Sequence, residues 1–335
     1  MSICPIQDRC GGCPAMNIPL DEQRTAHKKR VERLLGIPVS GLTTSPNTEG
    51  FRSRIELTPG RDGVLGYRMP RSHESVPVVR CAIARAEINE VLPSIGPVPR
   101  FVERVALRSN GAQVMLHAQT KDKHRNKGRA WLEGLTHLGI PLAINGRGIH
   151  EDPITILKVA GITHRLSPST FYQVNLEINE ELVADVVAAV EAVSPTAVLD
   201  LFSGAGNLSL PLATRGHPVT MIEAHPTATK DARRTAAQHG LDVDIRASKA
   251  EDFQAGDVFF DVAIMDPPRK GAGAVIEQVL MTRPKAVVMV SCNPRALASD
   301  LRRAKALGYS MDAVHLYEMF PHSQHIEAMG VLSSK

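Results

Sequence analysis

The five cysteines of the chain fall into two groups by their spacing. Cys4, Cys10, Cys13 and Cys81 lie in the first quarter of the sequence, and Cys292 stands alone far downstream. Thiolates are the soft ligands that iron-sulfur clusters and zinc both select. A single cysteine can instead act as a nucleophile through its thiolate. The spacing therefore predicts an inorganic centre near the start of the chain and a reactive thiol near its end.

The four early cysteines have a spacing that favours an iron-sulfur cluster, with zinc as the alternative. Structural zinc usually joins two close Cys-x-x-Cys pairs. Here a single pair, Cys10 and Cys13, has one cysteine before it and one far after it. Disulfides are disfavoured, because Met1 leads to Cys4 without a signal peptide and no apolar run could span a membrane. We therefore expect a cytoplasmic, reducing environment.

A glycine-containing turn follows a short apolar strand pattern in the second half. Gly204 and Gly206 come directly after residues 197–202, and Glu223 ends the next strand pattern. Glycines at a strand-to-helix turn let a ligand approach the backbone, and an acidic residue about 20 positions later can hold both ribose hydroxyls. Ser209 occupies the place of the third glycine in the dinucleotide fingerprint. The pattern therefore favours S-adenosylmethionine (SAM), which has no pyrophosphate, over NAD.

Further side chains are predicted to face the same crevice. Asp266 and Cys292 each end a strand pattern, and parallel strands present their carboxyl ends to one edge of a sheet. Cys292 also leads into a predicted helix, whose dipole can stabilise a thiolate. His322, His325 and Glu327 precede the last strand pattern. These three could bind a metal, but a general base is the more economical use of Glu327 beside a nucleophile and a methyl donor.

The second half of the chain alternates short β-branched runs with helical segments. This alternation predicts an α/β fold with a parallel, doubly wound sheet. The first half has a short basic helix over 25–35 and strands over 52–58 and 113–119, which predicts an α+β domain with antiparallel strands. We place the two domains at 1–168 and 169–335. The strands predicted in the second half cover 197–202, 219–223, 243–246, 262–265, 286–290, 313–318 and 328–332.

Composition and charge permit a nucleic-acid partner without requiring one. The chain has 335 residues, of which 43% are hydrophobic and 22% charged, as in ordinary globular proteins of two domains. Its net charge is +4, and the basic residues are concentrated in the first half, where they could contact RNA phosphates. The basic groups are residues 27–30, Arg52 with Arg54, Arg68 with Arg71, and residues 121–129.

Together these motifs resemble those of the RNA uracil-5-methyltransferases, the class I methyltransferases that make 5-methyluridine in ribosomal and transfer RNA. The resemblance covers most of the chain. Besides the four early cysteines, it rests on Gly50-Phe-Arg52, Leu65-Gly-Tyr-Arg68, Phe171-Tyr-Gln-Val-Asn175, the segment from Asp200 to Asn207, Asp266-Pro-Pro-Arg269, Ser291-Cys-Asn-Pro294, and the segment from Met319 to Glu327.

The resemblance implies a class I, Rossmann-like SAM methyltransferase domain with an N-terminal α+β iron-sulfur and RNA-binding domain. It also implies that Cys292 is the nucleophile and Glu327 the base. Lys249 occupies the position where many members have an Asn or Asp that faces the adenine. The cofactor pocket implied by the resemblance consists of Gln173, Phe202, Gly204, Asn207, Glu223 and Asp266.

The resemblance further implies a 4Fe-4S cluster on the four early cysteines, with a structural or RNA-positioning role favoured over redox sensing. Cluster-bearing members mostly act on large-subunit (23S) ribosomal RNA, so this RNA is favoured over transfer RNA as the partner. Many members begin with an oligonucleotide-binding barrel, for which Cys4 leaves no room, so we expect the first domain to bind the RNA. Neither a membrane nor an obligate protein partner is expected.

Uracil chemistry explains why such an enzyme needs a thiol. Carbon 5 of uracil is too weak a nucleophile to take a methyl group from a sulfonium, but a thiolate added to carbon 6 makes an enolate that can. A base must then remove the proton from carbon 5 so that the thiolate can leave. The target base must also be turned out of the RNA into the pocket. We expect Asp266 or groups near Asn293 to recognise the base, and Arg269 to contact a phosphate.

Three alternatives remain open. RNA cytosine-5 methylation uses the same thiol addition, but the early cysteines and the segment from His325 to Glu327 argue against it. Amino-methyltransferases share an Asp-Pro-Pro motif, but they usually have an aromatic residue where this chain has Arg269. A non-catalytic iron-sulfur or RNA-binding module is disfavoured by an intact Cys292 and cofactor loop.

Overall fold

The computed structural model describes residues 4–69, 72, 74–151, 153–254, 256 and 259–334. Arg71, one of the basic residues singled out above, lies outside the described residues. Within the described part of the chain, no helix is long and apolar enough to cross a membrane.

The helices of the second half alternate with its strands, as the sequence pattern predicts. The basic helix of the first half begins five residues earlier than predicted, at Leu20 instead of Thr25. It ends at Gly36, whose φ of 69° suits a left-handed helix cap. The α-helices are α1 (Leu20–Leu35), α2 (Ala86–Val91), α3 (Arg125–Glu133), α4 (Leu176–Glu191), α5 (Leu210–Thr214), α6 (Pro226–Gln238), α7 (Ala274–Met281) and α8 (Pro294–Ala306).

The strands predicted in the second half are all present, with ends that differ by at most a few residues. The strands are β1 (Val39–Thr43), β2 (Arg54–Pro59), β3 (Leu65–Arg68), β4 (Ser75–Pro77), β5 (Val102–Ser109), β6 (Val114–Thr120), β7 (Leu142–Ile144), β8 (Arg147–Gly148), β9 (Thr155–Val159), β10 (Ile162–Leu166), β11 (Val198–Leu201), β12 (Val219–Glu223), β13 (Asp244–Ala247), β14 (Val262–Met265), β15 (Ala286–Ser291), β16 (Tyr309–Ser310), β17 (Val314–Tyr317) and β18 (Glu327–Ser334).

The larger sheet has the order β1-β17-β18-β15-β14-β11-β12-β13, with β16 paired to β18. Strands β11 to β15 are mutually parallel, as predicted. The prediction of a wholly parallel sheet is wrong for β18, which is antiparallel to both β15 and β17. A short loop joins β17 to β18, and a parallel connection would need a long crossover. The strand order reverses between β11 and β14, so the ligand crevice is expected at their carboxyl ends.

Apolar cores cover both faces of this sheet. Helix α4 buries Ile178, Leu182 and Val186, which recur at a spacing of four residues, against one face. Its first turn is capped by Asn175, whose side chain accepts a hydrogen bond from the Ile178 N–H at 3.4 Å. Helices α7 and α8 cover the opposite face. Each fully buried Val, Leu or Ile stabilises such a layer by about 1.5–3 kcal/mol.

The first half contains a second sheet, in the order β4-β3-β2-β5-β6-β7-β8. Most of its neighbouring strands are antiparallel, as predicted, although β6 and β7 are parallel. A separate apolar core, which includes Cys81, lies beneath it. Helix α1 and strand β1 instead join the larger sheet, because β1 pairs with β17 and Val31 is buried in that sheet's core.

Candidate active site

The carboxyl ends of the central strands open into a cavity of about 800 Å³, the catalytic cavity. It lies where the strand order reverses, the place where doubly wound sheets bind ligands. Every catalytic and cofactor residue predicted from the sequence lines this cavity. These residues are Gln173, Phe202, Gly204, Asn207, Glu223, Asp266, Cys292 and Glu327.

The turn after β11 is shaped by residues with positive φ. Phe202 has a φ of 63° and Gly206 a φ of 83°, in the region that favours glycine. At Gly206 a Cβ would lie 2.5 Å from the Leu210 side chain, so a larger residue does not fit. At the end of β12, the Glu223 carboxylate accepts a hydrogen bond from the Gly204 N–H at 2.9 Å. The glycine turn and the predicted ribose-binding carboxylate are therefore in direct contact.

Asn207 is held by a residue that sequence reasoning missed. Its Nδ2 donates to Oδ1 of Asn179 at 2.8 Å, and Nδ2 of Asn179 donates back to Oδ1 of Asn207 at 2.9 Å. Asn179 is fully buried in α4. The sequence could have identified Asn179, because it is a polar residue on the apolar face of this helix, three and four positions before Leu182 and Val183. The paired amides fix the orientation of Asn207 towards the cavity.

The antiparallel pairing of β15 with β18 brings Cys292 and Glu327 together. Ser291, the last residue of β15, is paired with Ala328. The next rung of this ladder places Cys292 beside Glu327. The sequence predicted that these two residues lie near each other, but not the antiparallel pairing of β15 with β18 that brings them together.

Three carboxyl groups lie deep in the cavity. Burial raises the pKa of Asp200 to about 8 and that of Asp266 to about 7. Burial, and then the neighbouring Asp266, raise the pKa of Glu327 well above its usual range. Crowded, buried carboxyl groups favour a bound proton or a cation, such as a sulfonium. Sequence reasoning omitted Asp200 from the cofactor residues, although its place at the end of a strand before the glycine turn was a signal.

The thiol of Cys292 is not activated in the free protein. Burial raises its pKa to about 11, and the charges of Glu327 and Asp266 act in the same direction, while Arg269 lowers it. The expected stabilisation of a thiolate by the start of α8 is therefore outweighed by burial and by the two carboxylates. The thiol is protonated at neutral pH, and a cation bound in the cavity would favour the thiolate.

Arg269 and His325 form a polar group at the edge of the cavity. Nη2 of Arg269 lies 2.7 Å from Nδ1 of His325. Burial, and then the charge of Arg269, lower the pKa of His325, so its neutral ring can accept a hydrogen bond from the guanidinium. Among the described residues, no three His, Cys, Asp or Glu side chains are placed to hold one metal ion. The geometry therefore gives no support to a metal site on His322, His325 and Glu327.

The four early cysteines converge on a second cavity, of about 50 Å³, the four-cysteine cavity. Cys81 is held there by Asn89, whose Oδ1 accepts from the Cys81 N–H at 2.8 Å and whose Nδ2 donates to the Cys81 carbonyl oxygen at 3.0 Å. Burial, and then the neighbouring cysteines, raise the pKa of Cys13 to about 12. None of the five cysteines, all of which lie in the described part of the chain, forms a disulfide bond. The cysteines that line this cavity are Cys4, Cys10, Cys13 and Cys81.

Two further residues were singled out in the sequence. Lys249 stands where many family members have an Asn or Asp towards the adenine, which puts that contact in doubt; it is exposed and is absent from the described lining of the catalytic cavity. Arg52, predicted as a basic residue and as part of the Gly50-Phe-Arg52 motif, lines both the catalytic cavity and the four-cysteine cavity. It is the residue through which the two sites adjoin.

A doubly wound sheet with a glycine turn, a ribose-type carboxylate and an acid-lined cavity defines a SAM-dependent methyltransferase of the Rossmann-like class. A cysteine and a neighbouring carboxyl group in the same cavity fit the enzymes of this class that act through a covalent adduct.

Comparison with known proteins agrees with this class. Residues 149–335 match the model of the tRNA (uracil-5-)-methyltransferase family. The chain is 30% identical to the 23S rRNA (uracil(1939)-C(5))-methyltransferase RlmD of Pectobacterium atrosepticum, over 98% of this chain and 79% of that protein. It is 29% identical to the protein of the same name from Dichelobacter nodosus, over 97% of this chain and 82% of the relative.

A solved structure shows the same fold. The crystal structure of the Pyrococcus abyssi tRNA (uracil-54, C5)-methyltransferase, in complex with S-adenosyl-L-homocysteine, matches 96% of this chain and 86% of that chain. The TM-score is 0.82 at 24% sequence identity. The methyltransferase fold predicted from the sequence is thereby confirmed.

The chain belongs to the tRNA (uracil-5-)-methyltransferase family. It is a SAM-dependent methyltransferase of uracil carbon 5 in RNA, which confirms the family and the enzyme class predicted from the sequence.

Proposed function

We propose that the protein methylates carbon 5 of a uridine in 23S ribosomal RNA, in the cytoplasm, through a covalent Cys292 adduct. The relatives named for this activity match nearly the whole chain and support the choice of RNA. The observation that carries the mechanism is the neighbouring position of Cys292 and Glu327 in the cavity that also holds the glycine turn. Transfer RNA is the second candidate substrate, because the family model and the Pyrococcus abyssi structure are named for it.

In the proposed reaction, the thiolate of Cys292 forms a bond to carbon 6 of uracil. The electrons of the double bond between carbons 5 and 6 move towards the oxygen on carbon 4. As they return, carbon 5 would form a bond to the methyl group, and the bond between that methyl group and the cofactor sulfur would break, leaving its electron pair on the sulfur. Glu327 accepts the proton from carbon 5, and the returning electron pair breaks the bond between Cys292 and carbon 6. Atoms and charge balance, because the thiolate is regenerated and Glu327 carries one proton.

The raised pKa values support a dependence of this reaction on the bound cofactor. SAM supplies the methyl group as a sulfonium cation. Within the acid-lined cavity, a positive charge lowers the pKa of Cys292 and of Glu327, so that a thiolate and a basic carboxylate become accessible near neutral pH. Until that charge is present, the thiol stays protonated and is protected from side reactions.

The roles of the cofactor residues are also proposals. Glu223 lies at the end of β12, as a ribose-binding carboxylate requires, and it already accepts an N–H from the glycine turn. The paired amides of Asn179 and Asn207 support a fixed polar contact from Asn207. The remaining lining residues proposed to contact the cofactor are Gln173, Phe202, Gly204 and Asp266.

We propose a 4Fe-4S cluster in the four-cysteine cavity. Four thiols line it, and Gly12, between Cys10 and Cys13, adds no side chain to its wall. Among the described residues, the four cysteines included, no three His, Cys, Asp or Glu side chains are placed to hold one metal ion. The preference for a cluster over zinc rests on the cysteine spacing and on the family resemblance. The cluster would join residues 4–16 to the Cys81 loop and takes no part in methyl transfer.

The division of work between the two halves is proposed as 1–168 for the cluster and RNA, and 169–335 for the cofactor and the chemistry. The concentration of basic residues in the first half supports this division. Helix α1 and strand β1 cross to the larger sheet, so the first domain is anchored on the catalytic one.

Mapping of 5-methyluridine in 23S ribosomal RNA and transfer RNA, from a strain that lacks the gene, tests the substrate. We expect one 23S uridine to lose its methyl group, and the wild-type gene to restore it. Loss confined to transfer RNA would overturn the 23S proposal in favour of the second candidate. Unchanged methylation in both RNAs would overturn the proposed function.

A further inference from the structure

A third cavity, on the surface of the first half, is lined by three arginines. It has a volume of about 320 Å³ and lies between the start of α3 and the turn that joins β7 to β8. Arg125 and Arg129 come from α3, and Arg147 comes from β8. We call it the three-arginine cavity. Its concave shape distinguishes it from a flat basic surface.

The charges of this cavity are only partly compensated by the described residues. Nε of Arg129 pairs with Oε1 of Glu133 at 3.1 Å, and its Nη2 donates to the carbonyl oxygen of Ile149. Within the described part of the chain, the side chains of Arg125 and Arg147 have no hydrogen-bond or carboxylate partner. Like charges that share a cavity repel one another, so a bound anion would stabilise the arrangement.

Helix α3 makes the same region more positive. Its first turn contains Arg125 and Lys127 and no acidic residue, and the preceding residue, His124, provides no side-chain cap. The positive end of a helix dipole disfavours cations at this position. Departures from local stability rules of this kind are expected at functional sites.

The three-arginine cavity adjoins the mouth of the catalytic cavity. Gly146 precedes Arg147, and a Cβ at Gly146 would lie 3.7 Å from Oγ of Ser169. Ser169 lines the catalytic cavity and is exposed. The Gly146 N–H donates to Nε2 of His117 at 3.0 Å, which holds the turn in place. Ser169, in the lining of the catalytic cavity, therefore lies close to the turn that carries Arg147.

We propose that Arg125, Arg129 and Arg147 bind one backbone phosphate of the substrate RNA, close in the strand to the target uridine. The inference rests on the proposed function, since it requires RNA as the substrate. Guanidinium groups bind phosphate oxygens through paired N–H donors. The contact reads no base, but it sets the register of the strand, so that the target uridine meets Cys292.

Charge-removing substitutions test the cavity in the full-length protein. The test uses a 23S RNA fragment that the wild-type protein methylates. Arg125→Gln and Arg147→Gln are each expected to lower the affinity for this fragment by about 3- to 10-fold. The slope of log affinity against log salt should fall by about 0.7 when one contact to a single-stranded phosphate is lost. SAM affinity should not change, because neither residue lines the catalytic cavity.

Lys127→Gln is the matched control, because it removes the same charge from the same helix at an exposed residue that does not line the cavity. We expect less than a twofold effect from it. An equal loss of affinity in Lys127→Gln and Arg125→Gln would overturn a discrete site in favour of diffuse attraction. Unchanged affinity and salt slope in the double variant Arg125→Gln/Arg147→Gln would overturn the proposal outright.

Neutral phosphate linkages test the position of the contact. In a series of RNA fragments, each with one methylphosphonate near the target uridine, one linkage should weaken binding to the wild-type protein but not to the double variant. A series in which every linkage affects both proteins equally would contradict the proposal. Methyl transfer by the wild-type protein is measured in parallel, so its absence would show failure of the proposed function, not of the cavity alone.

Discussion

The protein places its thiols in two cavities that differ in backbone and in neighbours. Cys292 follows a buried strand and lies near two carboxyl groups in a cavity of about 800 Å³. The four early cysteines line a cavity of about 50 Å³, where three of them come from successive turns. A rigid strand end can set one thiol against a substrate, whereas a chain of turns can adapt four thiols to a shared inorganic group.

Burial raises the pKa of a thiol at both sites, but the neighbouring groups that add to this effect differ. At Cys292, burial is assisted by Glu327 and Asp266, and at Cys13 it is assisted by other cysteines. A single cation near Cys292 would reverse the effect of the carboxylates, whereas metal ions are needed to compensate four thiolates together. The pKa direction alone therefore does not distinguish a catalytic thiol from a ligand, and the neighbours do.

Replacement of the isolated thiol should have the largest effect. Cys292→Ala should abolish the covalent RNA adduct and lower methyl transfer on the order of 10⁴-fold or more, because no other group can add to carbon 6. SAM binding by calorimetry and any visible absorbance of the four-cysteine site should be retained. Substantial turnover in this variant would end the adduct mechanism.

Loss of the base should separate adduct formation from release. Glu327→Gln should slow turnover about 10²- to 10⁴-fold and accumulate an adduct that survives denaturing electrophoresis, because the carbon 5 proton stays in place. Glu318→Gln, a buried carboxylate paired with Arg24 elsewhere, is the comparison variant and should not accumulate adduct. Normal turnover without adduct in Glu327→Gln would remove this residue from the role.

Loss of a ligand thiol should affect stability more than chemistry. Cys81→Ala should remove the visible absorbance of anaerobically purified protein and lower its thermal midpoint, because ligand binding and folding are coupled. Turnover measured below the new midpoint should fall far less than in Cys292→Ala. Unchanged absorbance in Cys81→Ala, or its loss in Cys292→Ala, would contradict the division into two thiol sites.

Removal of the amide that orients Asn207 should weaken cofactor binding. Asn179→Leu leaves the Asn207 side chain without its partner, at a cost of about 1–3 kcal/mol, so SAM affinity should fall roughly 5- to 100-fold. Asn179→Asp keeps an acceptor for Nδ2 of Asn207 and should recover part of the loss. Equal affinity in all three proteins by calorimetry would refute the positioning role.

The smallest expected effect is a shift in the pH dependence of Cys292 alkylation. Because the thiol pKa is raised to about 11, alkylation by iodoacetamide should increase about tenfold per pH unit from neutral pH upward. Glu327→Gln removes one of the charges that raise this pKa, so its profile should move to lower pH. Peptide mass spectrometry distinguishes Cys292 from the early cysteines. An unchanged profile would show that Glu327 does not act on the thiol.

The apolar pattern of the sequence predicts the position of the strands but not how they pair. The strands at 219–223 and 262–265 were predicted with the bounds observed, because buried parallel strands are short, continuous apolar runs. Strand β18 was placed correctly but in the wrong direction, because its apolar pattern does not record the direction of its neighbours. Residues 39–43 were not predicted to join the larger sheet, since their pairing with β17 is a contact distant in sequence.

Residue types and spacing were sufficient to predict the glycine turn, the position of Cys292 at a strand end and the grouping of the four early thiols. These features depend on local conformation and on the atoms that each side chain carries. The neighbouring positions of Cys292 and Glu327, the paired amides of Asn179 and Asn207, and the raised pKa of Cys292 depended on tertiary structure. Each of them arises from strand register or from burial, which are properties of contacts between residues far apart in the chain.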